Sequence, residues 1–217
     1  MRRSLAVGAL AVAIIGAGAS PAWAGGGTDS GGGDWVPVEQ LIPEYYQPSD
    51  VNACGTTVTV SVGDVHEVEA RETVLADGTI VTDYRGNATL DLTRQSDGAT
   101  IDELDVSGPG RDVVSPDGAS ADVKLWGASL LYPLQGEEEM WAETGLPDLA
   151  YFTHGKVVLH ITADLEAGTT TSLTVDVHAK IIDLCSWFDH GKHHDHDDDD
   201  HHDDHEKGYD HGDGHQH

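Results

Sequence analysis

The residues best suited to chemistry lie at the end of the chain, in HHDHDDDDHHDDHEKGYDHGDGHQH, where almost every position is a histidine or an acid. Ten of the fourteen histidines fall from His190 onward, in the groups His193-His194-x-His196, His201-His202-x-x-His205 and His211-x-x-x-His215-x-His217. Imidazole nitrogen suits Zn, Ni and Cu, and neighbouring carboxylates attract any divalent cation and can complete its shell. This pattern designates His193, His194, His196, His201, His202 and His205 as metal ligands, with Asp195 and Asp203 assisting. Calcium alone would leave the imidazoles unexplained, because hard cations prefer oxygen. The competing reading is a solvated polyanion that only maintains solubility, since a low-complexity tract is compositional evidence. Either way the segment cannot pack a core and is expected to be disordered when unbound, so its sites would be several, exchangeable and poorly selective.

Elsewhere the candidates are sparse. His66 shares the even-numbered face of its segment with Val68 and Ala70, two residues after Asp64. Inside a barrel it would point at the lumen or its mouth, with Glu72 near by, and such a pair in an apolar enclosure can exchange protons with a substrate. A buried or rim histidine held by a carboxylate or a carbonyl accounts for it more simply, because one histidine without a nucleophile motif is a weak catalytic signal. His154, His160 and His178 fall on the polar parity of their segments, and a hairpin centred near Glu166 sets His154 across from His178. Two imidazoles without a third ligand make a poor metal site. The chain contains no GxSxG, P-loop, dinucleotide glycine fingerprint, HExxH or paired CxxC. It therefore reads as non-catalytic and without an organic cofactor.

The start of the chain sets the compartment. MRRSLAVGALAVAIIGAGASPAWA places Arg2 and Arg3 before an apolar run and ends in Ala22-Trp23-Ala24, the pattern of an export signal cleaved after Ala24. The run from Leu5 to Ala19 is shorter than the ~20 residues of a spanning helix, so a secreted protein without an integral membrane segment is expected after cleavage. Two cysteines, Cys54 and Cys185, bracket the central region. An even count in an exported chain favours a disulfide, which in the chain-entropy account contributes about 4–5 kcal/mol for so long a loop.

Charge narrows the partners. The chain has 39 acids against 11 Lys and Arg, a net −28. Loss of Arg2 and Arg3 makes it −30, of which the segment from Asp189 carries −9 (eleven acids against Lys192 and Lys207) and the remainder −21. Seven Lys and Arg in that remainder offer little to phosphates, which argues against nucleic acid and an anionic lipid surface and for divalent metal ions.

These residues imply four segments: a signal peptide at 1–24, a Gly/Pro-rich linker at 25–52, a β-barrel domain at 53–188 and a disordered His/Asp-rich tail at 189–217. From Cys54 the chain is rich in Val and Thr with Asp-Gly and Pro-Gly punctuation, an all-β signature. Val58, Val60, Val62, Val68, Val74, Ile80, Leu90, Leu92 and Leu104 share the inward parity, with Glu67, Glu69 and Arg71 outward. A three-residue loop at Ala76-Asp77-Gly78 pairs Val74 with Ile80 and Ala70 with Tyr84, and a similar turn after Ser96 sets Leu104 opposite Leu90. The same parity from Ile80 to Leu92 predicts one long strand through Gly86. About eight strands in an antiparallel meander close into a barrel, or stack as a sandwich, with one short helix in LQGEEEMWAETGLPDLA.

The stretches ACGTTVTVSVGDVHEVEARE, ATIDELDVSG and IIDLC resemble secreted proteins of high-GC Gram-positive bacteria, a group with no established activity. The resemblance spans about Ala53 to Cys185; it implies an extracytoplasmic β-barrel and no site residues. The long His/Asp ending departs from that group. The leading expectation is a secreted, non-catalytic β-barrel protein whose tail binds or buffers divalent transition metals. The alternatives are a barrel that binds or isomerises a small apolar molecule in its lumen beside His66, and an envelope or adhesion module with a solubilising acidic tail.

Overall fold

The computed structural model describes residues 33–165 and 167–190; the segment expected to be a signal peptide lies outside them. The fold begins earlier than the glycine- and proline-rich composition suggests. β1 (Val36–Pro37) and β2 (Ser49–Ala53) both come from the stretch expected to be a linker, and Val38 and Tyr45 between them are buried. Proline forbids helix interior but is accepted in edge strands and turns, and the aromatic rings of this strap have apolar surface to cover. Residues 36–52 thus contribute strands and buried side chains to the same core as the strands that follow.

β2 turns into β3 (Thr56–His66) through Cys54-Gly55, whose φ angles of 56° and 70° are both left-handed, as a tight two-residue hairpin turn requires. β4 (Glu69–Val74) and β5 (Ile80–Arg85) then pair Val74 with Ile80 and Ala70 with Tyr84, in the register expected. β6 (Ala88–Arg94) and β7 (Thr100–Asp105) set Leu90 opposite Leu104, also as expected. β8 (Gly110–Val114) and β9 (Ser120–Trp126) are joined by the Ser115-Pro116-Asp117-Gly118 turn. β10 (Ser129–Leu131), α1 (Glu138–Thr144) and β11 (Ala150–Phe152) follow, and α1 ends on Gly145 in the left-handed conformation. The long hairpin of β12 (Gly155–Asp164) and β13 (Thr169–Ala179), then β14 (Ile182–Asp183) and α2 (Cys185–His190), complete the described chain.

All described sheet pairings are antiparallel, so the fold is all-β, but the strands do not form one closed barrel. They form three sheets: β1-β4-β5-β8-β9-β12-β13, β2-β3-β6-β7 and β10-β11-β14. The physical reason sits at the corners. Gly86 has φ 117° and lies so close to the Glu67 carbonyl that a Cβ would stand 2.1 Å from its oxygen. Only glycine accepts both conditions. The parity from Ile80 to Leu92 is therefore shared by two strands in two different sheets rather than by one long strand.

Two cores result. Val58, Val60, Leu90, Leu92 and Leu104 of the four-stranded sheet meet Ala70, Tyr84 and the strap residues Val38 and Tyr45. Val123, Leu125, Val157, Leu159, Ile161 and Leu173 meet Trp141 of α1. The three-stranded sheet contributes to both: Leu130 and Tyr151 join the first, Leu131, Ala150 and Phe152 the second. Strands covered on both faces lose the alternation of half-buried ones and read as continuous apolar runs. Val74 departs from the inward set; it is 62% exposed because it closes the β4–β5 hairpin beside the exposed Leu75. No helix among the described residues is long and apolar enough to cross a membrane.

Candidate functional site

The expected ligands His193, His194, His196, His201, His202, His205, Asp195 and Asp203 all lie outside the described residues. The structure defines the root from which they depart. Cys54 and Cys185 are disulfide-bonded with Cα atoms 5.2 Å apart, tying the β2–β3 turn to the first residue of α2. The Cys54 amide donates to Asp148 Oδ2 at 3.1 Å and the Cys185 amide to Asp183 Oδ1 at 2.9 Å. One turn further on, Phe188 is buried in the first core. The Arg94 guanidinium lies 5.1 Å from the centre of its ring and donates to both oxygens of Asp97 (3.0 and 2.9 Å) and to Asp189 Oδ1 (2.8 Å). Sequence reasoning passed over Arg94, although the signal was present. It continues the inward parity of Ala88, Leu90 and Leu92, and a charge on that parity needs partners where the strand ends.

His66 is not in an interior. The register of β3 against β6 slips by two residues between Val62 and His66, so His66 keeps the parity of Val62 but stands at the last pair of that ladder. The side chain is exposed, opposite Ala88 and edge-on to Tyr46 with ring centres 5.7 Å apart. Glu72 is exposed as well, across from Thr82 on the other sheet. The two do not share an apolar enclosure.

The three strand histidines are also separated. Lys156, not His154, stands opposite His178, because the hairpin closes on the pair Asp164–Thr169 and the register slips once more between Thr162 and Ala163. His154 precedes β12 and has Nδ1 2.9 Å from Thr153 Oγ1. His160 lies on the outer face of the seven-stranded sheet, with Nδ1 2.7 Å from Asp122 Oδ1 and Nε2 3.3 Å from Asp176 Oδ2. The hydrogen bond to Asp122, and then that to Asp176, holds its pKa above the ordinary imidazole value. An imidazolium that donates from both nitrogens has no lone pair for a metal. No group of three or more His, Cys, Asp or Glu among the described residues is arranged to hold an ion.

A further ionisable group was not marked by the sequence. Asp112 alternates with Gly110 and Val114 on the inner face of β8 and is buried. Desolvation pushes its carboxyl up to about 7, against a single opposing hydrogen bond from the Tyr84 hydroxyl at 2.8 Å. The Tyr84 ring stacks on Tyr45 with centres 6.3 Å apart, and burial raises the pKa of both phenols. The Tyr45 hydroxyl finds no hydrogen-bond partner among the described residues. The cluster is a pH-sensitive part of the core.

No protein-family model, no curated protein and no solved structure matches this chain. Its function is therefore argued from its own residues.

Proposed function

We propose that this is an exported, non-catalytic β protein that carries residues 191–217 as an arm for divalent transition metals, Zn, Ni or Cu, near the cell surface. The observation that carries the reading is the sequence of the arm, in which imidazoles and carboxylates are interleaved at ligand spacing. Two features of the domain support it. The arm leaves from α2, which the disulfide, the buried Phe188 and the Arg94–Asp189 pair fasten to the sheets. The domain itself has a strongly acidic charge balance, which raises the local concentration of cations. Neither feature requires an organic cofactor or a nucleic acid partner.

The test is elemental analysis and native mass spectrometry of untagged protein purified from culture medium without a chelating column. Zn, Ni or Cu retained by the intact chain and absent from a truncation ending at His190 supports the reading. Metal-free protein from a metal-replete medium contradicts it.

A further inference from the structure

The walls around the buried Asp112 are held with unequal strength. Its own strand is paired on both sides: Thr82 of β5 and Val123 of β9 stand opposite it, each within a ladder of five residue pairs. The strap supplies a weaker wall. Tyr45 stacks on the Tyr84 ring, and its phenol lies close enough to feel the Asp112 carboxylate.

The strap is fastened at its two ends. At the start, the Gly33 amide donates to the Glu72 carbonyl, β1 pairs with β4 and the Val38 amide donates to the Val68 carbonyl at 3.0 Å. At the end, β2 pairs with β3 from Ser49 onward. Between them, among the described residues, backbone hydrogen bonds stay within the strap: Leu41 and Ile42 donate to Val38, Tyr45 to Ile42 and Gln47 to Glu44. This middle stretch is joined to the sheets by the packing of Ile42, Tyr45 and Tyr46 and by one hydrogen bond, from the Val68 amide to the Tyr46 hydroxyl at 3.0 Å. Segments held mainly by side chains open at a lower free energy than strands held in ladders. The Tyr45 hydroxyl is buried with no hydrogen-bond partner among the described residues, so opening would also give that group water.

We infer that residues 39–48 form a lid governed by the proton on Asp112, shut over the neutral acid and lifted when the acid ionises. The ionisable groups facing the cluster are Tyr84 and Glu72 from β5 and β4, Tyr45 and Tyr46 from the strap, and Tyr132 after β10. None of them is a cation. An ionised Asp112 would therefore sit in the core with the Tyr84 hydroxyl as its one described side-chain donor, and a buried charge so poorly paired must be hydrated. Water reaching it through β5 or β9 would break a ladder; water reaching it through the strap breaks the single bond at Tyr46. The shut form binds the proton more tightly, so acid favours it. Opening should increase by up to about tenfold per pH unit and level off once the shut form has also lost its proton, near pH 7.

Hydrogen–deuterium exchange of the full chain, read by mass spectrometry and corrected for the intrinsic pH dependence of amide exchange, tests this. Protection of residues 39–48 should fall by about tenfold or more between about pH 5 and pH 7 and change little from there to about pH 8. The β12–β13 hairpin serves as the reference and should keep its protection throughout. Asp112→Asn should flatten the strap's profile while leaving in place His66 and Glu39, which lie beside Tyr46. The native profile and its reference hairpin decide the matter even if that variant fails to fold. Strap protection that does not change with pH, a loss shared equally by the hairpin, or a slope that survives in folded Asp112→Asn overturns the inference.

Discussion

Asp112 is enclosed between Val114 and Gly110 on the inner face of β8, and the Tyr84 hydroxyl is its one described side-chain donor. The folded state keeps its proton up to about pH 7, while the unfolded chain releases it near 3.8. The folded state therefore binds the proton more tightly. Its stabilising effect is complete below the unfolded value and is lost as pH rises through about 7. The displacement corresponds to roughly 4 kcal/mol between the two limits, as an order of magnitude. Asp112→Asn keeps the size and an acceptor for Tyr84 but cannot ionise. Chemical denaturation should show the variant more stable than the native protein at about pH 8 and nearly equal at about pH 4. Parallel stability curves for the two proteins would remove Asp112 from the account. His160 is the contrasting case, because its two carboxylate partners are on the surface and solvent screens their effect on stability.

At the level of elements, the covalent and ionic fastening of α2 makes a separate expectation. Replacing both Cys54 and Cys185 by serine opens a loop with a sequence separation of 131 residues. In the chain-entropy account this costs about 4–5 kcal/mol, read as a lower denaturant midpoint with a steeper slope, because the unlinked denatured chain is more expanded. An unchanged midpoint would mean that Arg94 and Phe188 suffice to hold the helix. Much of the strand layout was legible from residue types alone. Apolar alternation with Asp-Gly turns specified the Val74/Ile80, Ala70/Tyr84 and Leu90/Leu104 pairings, and the two lone cysteines specified their bond. What remained hidden depended on tertiary contacts. Gly86 reads as a weak strand residue until the approach of the Glu67 carbonyl makes it a corner between sheets. The slip after Val62 and the exposure of His66 at the last pair of the β3–β6 ladder have no mark in the local pattern. The strap from Val36 to Ala53 looked like a linker because its prolines were visible and the surface that Tyr45 covers was not. Arg94 and Asp112, both on inward parity, show that a charge breaking an apolar face deserves a partner in any reading of strands.

For the molecule as a whole, the charge and the His/Asp arm must be explained together. On the proposed reading, divalent ions held by the acidic C-terminal segment would relieve its repulsion from an acidic body while satisfying its imidazoles. Coordination needs neutral imidazole, whose ordinary pKa is about 6.5, so binding through histidine should be strong near pH 7.5 and largely lost by about pH 5. Carboxylates alone would weaken much less over that interval, since their ordinary values lie near 4. Calorimetric titration of Zn into the chain starting at Gly25, and into a truncation ending at His190 that retains the Arg94–Asp189 pair, tests this most directly. The account predicts several equivalents bound by the longer chain at the higher pH, lost both on truncation and on acidification. Equal stoichiometry in the two proteins would contradict it and place the metal on the β domain.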